Sequence, residues 1–224
     1  MSKRYKLAKA KFEAGKNYPV LDALKLIKEA PTKFDQGVEL HIRLGIDSKK
    51  GDQMVRGSVV LPHGTGQVKK IIAFVTPELE AAAKAAGADL IGDEAAINTL
   101  KTTGKIEFDV AVAVPAMMKK LAPIAKTLGQ RGLMPNPKTE TVGPDIAKII
   151  TSLKKGKITF KNDDTGNIHQ LVGKVSFTED QLQANIATFL EAIKKAKPEG
   201  VKGTYLKSVT ICASMGPGAR IKAS

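Results

Sequence analysis

Three histidines, one cysteine and scattered carboxylates are the side chains of this 224-residue sequence that could do acid–base, nucleophilic or metal chemistry. His41, His63 and His169 are far apart and show no metal-ligand spacing, so they are not expected to converge. Cys212 is the only cysteine, which excludes an intrachain disulfide and a thiolate cluster; within its apolar run it reads as a small buried hydrophobe. Asp163-Asp164 is followed by Thr165-Gly166, which suits turn capping better than paired acid–base chemistry. Gly64-Thr65-Gly66 lacks the third glycine of a dinucleotide fingerprint and precedes a strand instead of following one. No phosphate loop and no activated nucleophile is marked. Binding without catalysis, and without cofactor or metal, is the expectation.

The chemistry that does stand out is electrostatic. Lys and Arg number 36 against 22 Asp and Glu. Residues 68–158 hold 14 basic and 9 acidic side chains, whereas the two flanks together hold 22 and 13. A polyanion is therefore the expected partner, with its main surface on the flanks. Trp is absent and aromatics make up 4% of the chain, so base-stacking platforms are not the main recognition device. No apolar run reaches the roughly 18 residues of a membrane span. The opening MSKRYKLAKAKF has no signal-peptide core. A reduced, cytoplasmic chain without membrane attachment is expected.

Two segments look built for contact. Ser214-Met215-Gly216-Pro217-Gly218 follows a strand; glycine there admits close backbone approach, and Met215 offers an adaptable apolar contact. Lys33-Phe34-Asp35-Gln36-Gly37 with Glu39 is a candidate companion. A carboxylate cannot serve a phosphate, but it can accept from a guanine amino group or a ribose 2′-hydroxyl; the plainer reading of Glu39 is a solvated strand face. Gly129–Lys138 is rich in Gly and Pro and carries Arg131 and Lys138. It reads as a rigid surface loop or as a secondary contact for RNA backbone.

The elements that must position these residues follow from periodicity. Residues 1–16 carry six basic groups, as an arm or a short helix. Pro19–Glu29 reads as a helix with Val20, Leu21, Leu24 and Ile27 inward, stopped by Pro31. Val38, Leu40, Ile42 and Leu44 alternate with Glu39, His41 and Arg43, which makes a strand with one wet face. Gly57–Leu61 is a second strand. The middle block alternates strands and helices: strands at 70–75, 88–91 and 108–114, helices at 77–86, 94–100, 116–128 (broken by Pro123) and 145–154. The 108–114 strand, apolar on both faces, is expected in the middle of a parallel sheet. Beyond it lie a strand at 157–160, a strand at 168–177 irregular near Gly173, a helix from a Thr178–Gln181 capping box to about Ala196, and a last strand at 205–213. Neither flank alone makes a core. The expected organisation is one α+β domain of residues 1–67 and 159–224, interrupted by an inserted α/β domain at 68–158. A nucleotide-using enzyme built on the middle block is the rival reading.

Taken in order, Lys33-Phe34-Asp35, Leu44-Gly45-Ile46-Asp47, Val55-Arg56-Gly57, Leu61-Pro62-His63-Gly64, Gly129–Lys138, Thr141-Val142-Gly143, Phe160-Lys161-Asn162-Asp163, Pro198-Glu199-Gly200, Lys202-Gly203-Thr204 and Met215-Gly216-Pro217 resemble the bacterial ribosomal protein L1 family over nearly the whole chain. The resemblance implies a discontinuous α+β RNA-binding domain interrupted by an inserted three-layer Rossmann-like α/β domain, able to hinge. It implies binding to the 23S-type ribosomal RNA stalk beside the exit site, assistance in the release of deacylated exit-site tRNA, and repression of the family's own operon mRNA. It also implies a monomer off the ribosome. Carried over by motif, Phe34, Glu39, Ser214, Met215 and Gly216 are the main RNA contacts. Phe34 packs the strand–loop junction, and Glu39 takes a ribose hydroxyl or base donor. Ser214 stands where threonine is common in the family. Lys33, Arg43 and Arg56 are phosphate contacts by the same resemblance.

Overall fold

A computed structural model describes residues 3–222 except Ala14, Ala30, Pro31 and Lys49, together with all but the side chain of Lys138. The helix stop expected at Pro31 therefore lies outside the described residues. In chain order the elements are α1 (Lys3–Ala10), α2 (Val20–Lys28), β1 (Gly37–Leu44), β2 (Arg56–Val60), β3 (Ile71–Phe74), α3 (Glu80–Ala85), β4 (Leu90–Ile91), α4 (Glu94–Thr103), β5 (Val110–Ala113), α5 (Ala125–Gln130), α6 (Ile146–Lys154), β6 (Lys157–Lys161), β7 (Asn167–Lys174), α7 (Glu179–Lys195), β8 (Leu206–Ala213) and β9 (Ala219–Ile221). They group into two compact units, residues 1–66 with 158–224, and residues 67–157.

In the first unit four strands form a sheet in the order β7-β1-β8-β9. All three pairings are antiparallel. The alternation of β1 dictates its two faces. Val38, Leu40 and Ile42 are fully buried, joined by Ile168 and Val172 of β7 and by Val209 and Ile211 of β8. α2 packs on β8 and β9, while α7 packs on β7 and β2. β2 and β6 pair as a separate two-stranded sheet. The capping box forms: the Gln181 N–H donates to Thr178 Oγ1 and the Thr178 N–H to Gln181 Oε1. Leu182, Ile186, Phe189 and Ile193 then seat the stripe of α7 in the core.

Several expectations are corrected here. Leu21 is exposed, and Ala23 takes its inward place on α2. β7 stops at Lys174, because Phe177 donates its N–H to Lys174 O in a turn that leads to the Thr178 cap. The chain does not end its sheet at β8, since β9 adds an edge strand. Of the two readings of residues 1–16, the short helix with a solvated face is the one that forms: α1 has no buried residue.

In the second unit the strand order is β4-β3-β5, all parallel. The middle strand is β3, whose four residues are all buried; β5 is flanked on its far side only by a single bridge from Ala113 to Val142. This corrects the placement of the 108–114 run. Both strands are apolar on both faces, so composition cannot rank them. α6 packs on β5 and against α3. The 116–128 stretch breaks as Pro123 requires, into 3-10 turns at Pro115–Met118 and Ala122–Ile124 before α5.

Candidate nucleic-acid interface

The two contact segments meet at one end of the β7-β1-β8 sheet. Antiparallel register puts Val38 opposite Ala213 and Glu39 opposite Cys212, so the chain entering β1 and the chain leaving β8 run side by side. The Ser214 N–H donates to Gly37 O at 3.0 Å. The Ser214 hydroxyl donates to the same carbonyl at 3.3 Å. Gln36, only 1% exposed, accepts the Met215 N–H on Oε1 at 3.0 Å. Asp35 accepts the Ser176 N–H and hydroxyl at 3.1 and 2.8 Å. Gly37 lets the loops close up: a Cβ there would lie 2.6 Å from Leu171 Cδ1 and 3.2 Å from Ser214 Oγ, so both side chains would have to shift. These ties hold in place two loops whose apolar tips, Phe34 and Met215, are each 54% exposed. Phe34 thus stands half-exposed just before the start of β1.

Glu39, His41 and Arg43 lie on the face of β1 opposite α2 and α7, alongside His169 and Asn167 of β7 and Cys212, Thr210 and Ser208 of β8. Lys33 is exposed in the first loop. Arg43 is exposed at the other end of β1, across from Ser208. Arg56 stands on β2, in the other sheet, and is not brought to the Phe34–Met215 loops by strand pairing. Arg131 is exposed after α5 in the second unit, and the Lys138 side chain lies outside the described residues. The loop carrying both is pinned, with the Leu133 N–H on Leu128 O and the Asn136 N–H on Thr141 Oγ1.

Two features escaped sequence reasoning. Arg4 of α1 donates to Met215 O at 3.2 Å. Beside it a groove of about 430 Å³ runs between α1 and the β8–β9 strands, lined by Lys9, Lys16 and Arg220 among others. His41 and His169 do converge, contrary to expectation, because they are directly paired across β1 and β7. Their Nδ1 atoms are 2.7 Å apart. The signal was in the alternation itself: both histidines occupy wet-face positions, but only the strand register makes them neighbours. Cys212 is likewise corrected. It sits on this half-buried face and not in the core, 3.0 Å from His41 Nε2.

Burial holds His41 below the ordinary histidine value; His169 adds to that and Glu39 opposes it. Burial, seconded by Glu39, pushes the Cys212 thiol up to about 11. At Asp163 burial acts upward, but hydrogen bonds from Asn167 and Thr165 outweigh it and hold the carboxyl well below the usual carboxylate range. A carboxyl depressed on folding stabilises the fold above its unfolded value of 3.8, and that contribution is lost as pH falls through the folded value. The stability difference between the parent and Asp163→Asn should therefore be full at neutral pH and narrow as pH drops below 3.8, read by urea unfolding at constant ionic strength. A difference that does not change with pH would reject the role of the charge.

Residues 26–217 match the profile of the ribosomal protein L1p/L10e family. The chain is 47% identical to "Large ribosomal subunit protein uL1" of Streptomyces virginiae over 222 residues, 98% of this chain and 92% of that protein. It is 47% identical to the protein of the same name from Mesoplasma florum over 223 residues, 99% and 98% of the two chains. The uL1 of Bacteroides fragilis is 45% identical over 222 residues, 99% of this chain and 95% of its own. No helix among the described residues is long and apolar enough to cross a membrane.

Proposed function

We propose that this chain, which belongs to the ribosomal protein L1p/L10e family, is a structural component of the large ribosomal subunit that grips the ribosomal RNA stalk beside the exit site. The family is a structural one, and the reading of the middle block as a nucleotide-using enzyme is set aside. We read residues 1–67 with 159–224 as the RNA-binding domain and 68–158 as an inserted three-layer α/β domain, in a cytoplasmic protein that is monomeric off the ribosome. The same grip serves an operon mRNA that imitates the ribosomal site. On the ribosome the protein assists departure of deacylated tRNA.

The observation that carries this reading is the pairing of two exposed apolar tips, Phe34 and Met215, on loops tied through Gln36 and Gly37. An exposed methionine and phenylalanine held in place suit an apolar contact with ribose and base. Gly216 fits the same reading. A Cβ there would meet only ordinary contacts, the nearest Ala213 Cβ at 3.4 Å, so an approaching ribose gives this glycine a role that internal packing does not. Ser214 spends its hydroxyl on Gly37 O and acts mainly by fixing the turn. Glu39 is left as the acceptor for a 2′-hydroxyl or base donor. Lys33, Arg43 and Arg56 supply phosphate attraction, and Arg131 and Lys138 of the second unit are secondary candidates for it.

Met215→Asp places a charge at the centre of the proposed contact. Specific stalk-RNA binding should weaken by about 1–2 kcal/mol, roughly 5–30-fold. Titration of parent and variant at one salt concentration checks this, and equal affinities would remove Met215 from the interface.

A further inference from the structure

The wet face of the four-stranded sheet carries a second constellation. Glu39, His41 and Cys212 offer a carboxylate oxygen, an imidazole nitrogen and a sulfur that all lie within 4.8 Å of one another. Strand register makes the cluster: Glu39 pairs with Cys212, and His41 is the next residue on the same face of β1. His41 Nε2 is 3.0 Å from Cys212 Sγ and 3.8 Å from Glu39 Oε2. A tetrahedral zinc ion, with bonds of about 2.0–2.2 Å to N and O and about 2.3 Å to S, needs separations of roughly 3.3–3.6 Å between such donors. The two gaps to His41 lie on either side of that range, within a few tenths of an ångström of it, and the Glu39 oxygen and Cys212 sulfur lie within 4.8 Å of each other.

The orientation of His41 is an independent indication. Its Nδ1 meets His169 Nδ1 at 2.7 Å, and His169 Nε2 lies 3.6 Å from Asp163 Oδ2. Asp163 is itself fixed by the N–H groups of Thr165 and Asn167. A carboxylate at that end favours N–H on His169 Nε2, which leaves His169 Nδ1 as the acceptor. With its proton on Nδ1, donated to His169 Nδ1, His41 turns the Nε2 lone pair toward Cys212 and Glu39. That tautomer is the one metal ligation requires, and the bond from Nδ1 to His169, with Asp163 beyond it at ion-pair distance, is the kind of outer contact that supports metal-binding histidines.

We propose that Glu39, His41 and Cys212 bind a thiophilic divalent cation of the Zn²⁺ class, with His169 and Asp163 as positioning residues. The mixed sulfur, nitrogen and oxygen donors favour Zn²⁺ over Mg²⁺ or Ca²⁺, which take oxygen ligands. On binding, the Cys212 thiol releases its proton to solvent and the thiolate bonds the ion; a fourth coordination position stays open. The site shares Glu39 with the proposed RNA contact, but its test reads metal binding by the protein alone and does not depend on the RNA reading.

The test is titration of the reduced, metal-free full chain with Co²⁺ as the spectroscopic probe, followed by Zn²⁺ in competition. One Co²⁺ per chain should bind with an intense near-ultraviolet sulfur-to-cobalt band, whose source can only be Cys212 because no other cysteine exists. Zn²⁺ should bleach it. Cys212→Ser should abolish the band, and His169→Gln, which keeps all three ligands, should retain the band while weakening affinity about 10–100-fold. His63→Gln should bind like the parent. Absence of the sulfur band in the parent, or its persistence in Cys212→Ser, overturns the site. Unchanged affinity in His169→Gln overturns the positioning role.

Discussion

Phe189→Ala should destabilise the unit formed by residues 1–66 and 158–224 by about 3–5 kcal/mol. The ring is fully buried on α7 and meets Phe160 of β6 edge-on, with centroids 5.5 Å apart at 87°. It therefore joins the long helix to the small β2–β6 sheet, and the cavity left by alanine is walled by more than one element. Such a void cannot close by moving one side chain. A fall in the urea midpoint at constant slope measures the loss. Amide exchange localises it. Protection should drop in β1, β7 and β8, while β3 and β5, which belong to a separate core around Phe74 and Val112, keep theirs. Equal loss in both cores would contradict their separation.

Asn185→Ala should cost about 2–4 kcal/mol, although only one small side chain is trimmed. Asn185 is fully buried. It accepts the His63 N–H at 3.1 Å and donates to Gly64 O and Val172 O, both at 2.8 Å. Val172 is the residue skipped where the β1–β7 register shifts, with Val38 opposite Gly173 and Glu39 opposite Leu171. The shift leaves its carbonyl to the side chain of Asn185. Alanine removes the donor and strands that carbonyl in the core. Asn185→Asp should be at least as damaging at neutral pH, because a carboxylate still accepts from His63 but faces two carbonyls with nothing to donate. Urea unfolding of both variants against the parent checks the order. A cost below about 1 kcal/mol for either would show that water replaces the amide.

How much of this was legible depended on range. The strict alternation of Val38 to Leu44 revealed β1 and its two faces, because a period of two needs only neighbours. The Thr178–Gln181 cap and the Asp163–Gly166 turn are equally local, and both form. The irregularity expected near Gly173 appears as the register shift beside Val172. What could not be read was pairing at a distance. His41 and His169 are separated by 128 positions, and a slip of one residue would have put one of them in the core. Cys212 looked internal because its neighbours are apolar; register turns it outward. β9 is three residues long, too short for any period to show. In the candidate interface, the motifs located Phe34 and Met215 but not Gln36 as the buried residue that ties their loops together.

The position of β1 between β7 and β8 bears on how this chain is made. Translation delivers Val38, Leu40, Ile42 and Leu44 early, yet both flanking strands are encoded beyond residue 166. At about 5–20 residues per second, the 128 positions from His41 to His169 represent a wait of roughly 6–25 s. All strands of the 67–157 unit emerge in that interval, and its parallel sheet needs nothing synthesised later. The nascent polypeptide thus completes its second-encoded globule first, while an apolar segment from the earlier part stays exposed to chaperones until the sheet can close.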